Sequence, residues 1–115
     1  MRQLADTLYE IQGSLDQILA YIETHRSNDA LNEAREAFGT IGKALDSVGY
    51  IPSDILGSDI ADTLYETQGA IDQIRVYLEM DEFGSAKGWA EDCISDIGTI
   101  LENHGYMPPS IPGID

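Results

Sequence analysis

Histidine and glutamate lie close together twice in this chain, in Glu23-Thr-His25 and in Glu102-Asn-His104. A carboxylate-bridged metal centre in a helical bundle uses Glu-x-x-His, because a spacing of three places both ligands on one face of a helix. The spacing of two found here directs the side chains to different faces. We therefore expect no metal site and no cofactor. At the ends of helices these histidines would complement the helix dipole.

Other catalytic patterns are incomplete. Glu33-Ala-Arg-Glu36 resembles the first acidic motif of the all-α nucleotide pyrophosphohydrolases, but the Glu-x-x-Asp motif that should follow is missing. Helical ribonucleases pair an arginine with a histidine four to six residues away, which none of the arginines does. The sequence has no glycine-rich phosphate loop, and Cys93 has no histidine near it in the chain. The sequence predicts a protein that is not an enzyme.

The segments that would position any site occur as two copies of one sequence repeat. Residues 5–10, Ala-Asp-Thr-Leu-Tyr-Glu, return unchanged as residues 61–66, and the alignment continues without a gap at an offset of 56. Four segments place their inner positions at alternating intervals of three and four, which is typical of bundle helices. These positions are Leu4, Leu8, Ile11, Leu15, Ile18 and Ile22; Leu31, Ala34, Phe38, Ile41, Leu45 and Val48; Ile60, Leu64, Thr67, Ile71, Ile74 and Leu78; and Ala90, Ile94, Ile97 and Leu101.

Each copy is predicted to form a helical hairpin. The first helix should end near Arg26, with the following Ser-Asn-Asp at residues 27–29 capping the second helix. The fourth helix should begin near Ser85, and Gly49 and Gly105 should end the second and fourth helices. Residues 50–58 are predicted to form an ordered Pro/Gly connector, and the tail at 107–115 resembles it in composition.

One hairpin buries only a single stripe per helix, so the two copies should close on each other. We expect an all-α, antiparallel four-helix bundle, with residues 1–57 as the first repeat and 58–115 as the second. The 115 residues, 43% of them hydrophobic, should form a single domain. Exchange of hairpins between two chains is the alternative, so either a monomer or a homodimer is compatible with the sequence.

Two pairs of glycines interrupt the predicted helices at matched positions, Gly13 with Gly69 and Gly42 with Gly98. Each costs about 1 kcal/mol relative to alanine inside a helix. We expect them to mark close approach of neighbouring backbones, with a partner laid flat on the helix surface as the alternative.

The formal net charge of -15 excludes nucleic acid or an anionic membrane as a direct partner unless a cation intervenes, and it favours a basic protein. The acidity is uneven, because residues 1–57 carry about -5 and residues 58–115 about -10. The single cysteine, Cys93, rules out an internal disulfide and is expected to be a small buried residue. The N-terminus has no basic start leading into an apolar run, and no segment is long and apolar enough to span a membrane. A cytoplasmic protein is expected, with a secreted protein that lacks disulfides as the alternative.

The candidate binding residues are polar and aromatic side chains outside the predicted core. The second repeat has gained Asp81 and Glu82 at the positions of His25 and Arg26, and it carries Trp89 at the start of the fourth helix. Trp89 is expected to lie half-buried over the neighbouring loop, with a role as a partner anchor as the alternative. The full set of candidates also includes Glu91, Asp92 and Asp96 of the second repeat and the matched pairs Tyr9 and Tyr65, Asp16 and Asp72.

Two functions fit these features. In the first, the protein is an inhibitor or decoy whose carboxylates replace phosphates on a nucleic-acid-binding surface of another protein, since acids one helical turn apart are separated by roughly 6 Å. Such proteins resemble phage-encoded inhibitors of restriction or CRISPR nucleases in size, acidity and helical content, although no shared motif carries the resemblance. In the second, the protein is an adaptor, immunity or assembly subunit that binds a specific partner through its repeated helical face.

Overall fold

The computed structural model describes residues 2–49 and 60–106, with side chains from Leu4 onward, and these residues form four helices. The described residues contain no strand, which confirms the prediction of an all-helical protein. None of these helices is long and apolar enough to cross a membrane. The predicted connector at 50–58 and the tail at 107–115 lie outside the described residues. The helices are α1 (Arg2–Glu23), α2 (Ser27–Ser47), α3 (Ile60–Glu79) and α4 (Phe83–Asn103).

Each of the four helices is followed, two residues after its last residue, by a residue with left-handed backbone geometry. Gly49 and Gly105 adopt φ angles of 66° and 65°, as predicted, while His25 and Asp81, which follow α1 and α3, adopt 60° and 58°. Beyond His25, the backbone N–H of Arg26 donates to the Tyr21 carbonyl at 2.8 Å, which closes the last turn. The reversal at His25 ends α1 at Glu23, three residues before the predicted end.

The start of α2 also differs from the prediction. Its N-cap is Arg26, and no side chain caps the exposed N–H groups there. Asp29 instead accepts a hydrogen bond from the Arg26 guanidinium at 2.7 Å, so its carboxylate binds a side chain and not the backbone N–H groups at the start of α2. The same arrangement without a side-chain cap occurs at Glu82, and α4 begins at Phe83 rather than Ser85.

The helices pack as neighbours in the order α1, α2, α3, α4, with α4 returning to α1, a packing consistent with a four-helix bundle. Contacts across two of these interfaces run in opposite chain directions. Arg35 of α2 meets Glu79 of α3, while Phe38, further along α2, meets Gln68, further back in α3. Between α1 and α4, Glu23 meets Lys87 and Gln12 meets Ile94. Neighbouring helices at both interfaces are therefore antiparallel.

Most of the large buried side chains come from α1 and α3, while half of the buried residues of α2 and α4 are alanine. All six predicted inner positions of α3 are buried, as are the first five of α1. In α2 the prediction was partly wrong, since Phe38 is 41% and Val48 is 47% exposed. An alanine stripe faces inward there, because small side chains let the helix lie close to its large-residue neighbours. The buried residues of α2 and α4 are Ala30, Ala34, Ala37, Ile41, Leu45, Ala86, Ala90, Cys93, Ile97 and Leu101.

The matched glycines do not bring helix backbones together. A Cβ added to Gly13 or Gly69 would meet nothing within 4 Å, so both positions face open space. A Cβ on Gly42 would lie 3.3 Å from the side-chain nitrogen of Gln68, and one on Gly98 would lie 3.4 Å from that of Gln12. The expectation of close backbone approach is therefore wrong. At Gly42 and Gly98, the missing Cβ leaves room for a glutamine side chain from the neighbouring helix.

Candidate partner-binding surface

A groove with a volume of about 530 Å³ runs between α3 and α4. Two positions that differ between the repeats shape its floor. Thr67 of α3 occupies the position matched by Ile11 in α1, and Cys93 of α4 occupies that matched by Ala37 in α2. Both side chains line the groove, although Thr67 is only 5% and Cys93 only 7% exposed. The floor therefore contains a hydroxyl and a thiol where the first repeat has only hydrocarbon.

Two aromatic residues line the groove, one from each helix: Tyr77 is half-buried in α3, and Trp89 in α4 is 40% exposed. Trp89 occupies the position matched by Glu33 in α2, so the second repeat has exchanged a charge for a large flat ring. Such a ring can offer its face to a ligand.

Three carboxylates line the same groove. Glu66 projects from α3, while Asp92 and Asp96 lie one turn apart on α4. The lining residues include no lysine or arginine. Because like charges repel across a narrow groove, these acids create a negative potential that a cation would relieve.

The face between α2 and α3 has the opposite character. A second cavity of about 490 Å³ lies there, with Asp72 and two arginines, Arg35 and Arg75, among its lining residues. The Arg75 guanidinium is 2.9 Å from Asp72 and 3.2 Å from Glu79, and Arg35 is 3.5 Å from Glu79. The hydrogen bond and charge of Asp72, together with Glu79, raise the pKa of Arg75. This face is internally neutralised, in contrast to the groove between α3 and α4.

The predicted acidic residues of the second repeat fall into separate regions. Asp92 and Asp96 line the groove together with Trp89. Asp81 and Glu82 lie exposed in the turn between α3 and α4. Glu91 does not line the groove. The Lys87 ammonium group is 3.5 Å from Glu23 of α1, so Lys87 lies on the side of α4 that faces α1. Glu91 is one helical turn from Lys87 and therefore lies on the same side.

The predicted residues of the repeated face are also divided. Tyr9 is 41% exposed, and its ring lies 5.8 Å from the ring of Tyr106, centroid to centroid. Tyr65 is 46% exposed and Asp16 is exposed. Asp72 is engaged by Arg75, which occupies the position matched by Leu19 in α1. The two copies of this face therefore differ in charge as well as in surroundings.

Glu66, Thr67 and Tyr77 are groove residues that the set of candidate binding residues omitted. Glu66 has an identical counterpart, Glu10, just as the candidates Tyr65 and Asp72 have theirs, so identity between the repeats was a signal that could have included it. Thr67 was predicted as part of the core, which it is, but it also lines the groove. For Thr67, the sequence signal was its replacement of the matched isoleucine, Ile11, at an inner position, because this exchange removes apolar volume from the core.

Burial raises the pKa of the Cys93 thiol from 9.0 to about 11, with smaller contributions from the charges of Asp96 and Asp92. The thiol is therefore protonated near neutral pH and is a poor nucleophile. Its expected burial is confirmed. Within residues 2–49 and 60–106, no three His, Cys, Asp or Glu side chains are grouped so that they could hold a metal ion.

No family model, curated protein or solved structure matches this chain.

Proposed function

We propose that the protein binds a basic partner protein and occupies a surface that the partner uses for nucleic acid. The supporting observation is the groove between α3 and α4, which Glu66, Asp92 and Asp96 line and whose lining residues include no lysine or arginine. Unpaired carboxylates on one face attract lysine and arginine, and they speed the encounter with a basic surface.

The acidic groove between α3 and α4 contrasts with the ion-paired face between α2 and α3. The net charge of -15 gives attraction at long range, while ion pairs on the α2–α3 face satisfy the carboxylates of Asp72 and Glu79 locally. Carboxylates already paired with arginine have less to gain from a basic partner. The α3–α4 side, including Asp81 and Glu82 in its turn, is therefore the face we assign to the partner. The lone buried thiol favours a reducing, cytoplasmic setting for this encounter.

We also infer that the chain consists of two copies of one helical hairpin. The support is a pair of cross-helix hydrogen bonds that recur at the sequence offset of 56. Gln12 donates to the Ile94 carbonyl, and Gln68 donates to the Phe38 carbonyl. On this view, divergence of the second copy produced the binding face while the bonds between the hairpins were retained.

The test is a capture experiment with the immobilised full chain as bait. We expect retention at about 50 mM salt of a protein that binds nucleic acid, its release near 200 mM salt, and its displacement by duplex DNA. The control bait carries Asp81→Lys, Glu82→Lys, Asp92→Lys and Asp96→Lys, which reverses charge on the proposed face. Retention that resists both salt and DNA would contradict a phosphate-replacing role.

The second candidate function is an adaptor that binds through a repeated helical face. Tyr9 and Tyr65 favour it, because both remain more than 40% exposed at matched positions of α1 and α3. Tyrosine provides contact area at low entropic cost. Capture that survives high salt but is lost in a bait carrying Tyr9→Ala and Tyr65→Ala would support this role instead.

A further inference from the structure

We propose that the groove between α3 and α4 seats an arginine side chain of the basic partner. This inference rests on the proposed function and names the chemical group that the acidic face would recognise. It concerns the groove that three carboxylates, two aromatic side chains and Thr67 line together. The groove volume of about 530 Å³ lies within the range of about 300 to 1,000 Å³ that is usual for ligand pockets.

Charge provides the first argument. Glu66 approaches from α3, and Asp92 and Asp96 approach from α4, so acceptors line the groove from two directions. A guanidinium group is planar and presents five N–H donors in a fixed fork, which matches carboxylate oxygens at more than one point. An ammonium group is a compact and more strongly hydrated charge that makes less use of acceptors on both sides.

The aromatic side chains provide the second argument. Trp89 lines the groove together with Asp92 and retains 40% exposure, so part of its ring is available for contact. A guanidinium can stack on an indole face while its edge donates hydrogen bonds to carboxylates. Few other cationic groups satisfy both requirements at once.

Thr67 provides an observation independent of the acidic cluster. Thr67 is only 5% exposed and lines the groove. Its side chain makes no hydrogen bond to another described residue. Its hydroxyl can accept a hydrogen bond from a donor that enters the groove. The matched position in α1 is Ile11, where no such polar group exists.

The first test uses the purified wild-type protein and an end-blocked hexa-arginine peptide. Trp89 is the only tryptophan in the chain, so its fluorescence reports on the groove directly. We expect a saturable fluorescence change and backbone NMR shifts that are largest in α3 and α4. A hexa-lysine peptide of equal charge should bind several-fold more weakly, because it cannot stack in the same way. Equal affinity for both peptides, or shifts spread evenly over all four helices, would overturn the proposal.

The second test compares two variants of equal net charge. The groove variant carries Glu66→Gln, Asp92→Asn and Asp96→Asn, and the control variant carries Glu10→Gln, Glu33→Gln and Glu36→Gln in the first repeat. Each removes three negative charges. We expect the groove variant to bind hexa-arginine about tenfold more weakly and the control to lose less than about threefold. Equal losses would show that only net charge matters and would overturn the arginine site.

The same variants separate this inference from the proposed function. If wild-type and groove-variant baits capture the same basic protein equally well, the arginine site is wrong while the proposed function stands. If hexa-arginine binds in the groove as expected but no nucleic-acid-binding protein is captured, the arginine site stands and the proposed function fails.

Discussion

Gln12 reaches from α1 across to α4, where its side-chain amide donates a hydrogen bond to the backbone carbonyl of Ile94 at 3.1 Å. One turn further along α4, Gly98 leaves the space that the amide occupies. Gln68, Phe38 and Gly42 repeat this arrangement between α3 and α2, with a donor-acceptor distance of 3.3 Å. The two contacts join one hairpin to the other, so they link parts of the chain that are distant in sequence.

This relationship predicts different effects of alanine at different glycines. Gly13→Ala should raise the free energy of unfolding by about 1 kcal/mol, because its Cβ would project into open space and alanine is the better helix former. Gly98→Ala should give less than half of that gain, because the new Cβ would press on the Gln12 amide. Denaturant unfolding of the two variants makes the comparison. Equal stabilisation would mean that the Gln12 contact contributes nothing.

The left-handed residue after α1 predicts a stabilising substitution. His25 adopts a φ of 60°, a conformation that costs about 1 to 2 kcal/mol for a residue with a Cβ. His25→Gly should remove that cost and, after the entropy lost by glycine, raise the free energy of unfolding by about 0.5 to 1 kcal/mol. Thermal melts would measure it. His25→Ala is the control, which retains the Cβ and should produce no such gain.

The contact between Tyr106 and Asp6 predicts a loss of stability when one hydroxyl is removed. The phenol of Tyr106 donates to Asp6 at 2.5 Å and joins the end of the α4 segment to the start of α1. Tyr106→Phe should lower the free energy of unfolding by about 1 to 2 kcal/mol, because a hydrogen bond to a charged acceptor is lost. Tyr9→Phe leaves the ring contact with Tyr106 in place and should change stability by less than about 0.5 kcal/mol. Losses of the same size in both variants would contradict this role for the Tyr106 hydroxyl.

Cys93 predicts slow thiol chemistry in the folded protein. With its pKa raised to about 11, the thiol should react with iodoacetamide at pH 8 about a hundredfold more slowly than an ordinary thiol. The denatured chain is the control and should react at the normal rate. A folded-state rate near that of the denatured chain would show that the thiol is accessible and titrates normally.

The same pKa shift predicts a pH dependence of stability. The folded-state pKa lies above the ordinary value of 9.0, so the folded chain holds this proton more tightly than the unfolded chain does. The contribution is complete below pH 9 and is lost as the pH rises through about 11. Denaturant unfolding between pH 8 and 11 should show a steeper decline for the wild type than for Cys93→Ala. Parallel declines would assign the effect to other groups.

Local sequence patterns were sufficient to predict the number and type of helices. The intervals of three and four at Leu8, Ile11 and Leu15 place these side chains on one helix face, and all three are buried. Such patterns depend only on helix geometry, which every segment shares. Helix ends were harder to predict, because His25 and Asp81 turn the chain in a conformation that usually favours glycine.

The α3–α4 groove could be recognised only from the tertiary structure. Sequence alone indicated that Trp89, Asp92 and Glu91 belong to an acidic stretch. It could not place Glu91 on the far side of α4, or show that Glu66 and Asp92 line one groove. The orientation of Phe38 was likewise decided by packing, since Ala37 allows a closer helix contact. The chain by itself determined four amphipathic helices and a large negative charge, because both follow from local spacing and composition. Which carboxylates remain unpaired depends on the arginines that packing brings beside them, as at Asp72 and Arg75, and that was decided by the tertiary structure.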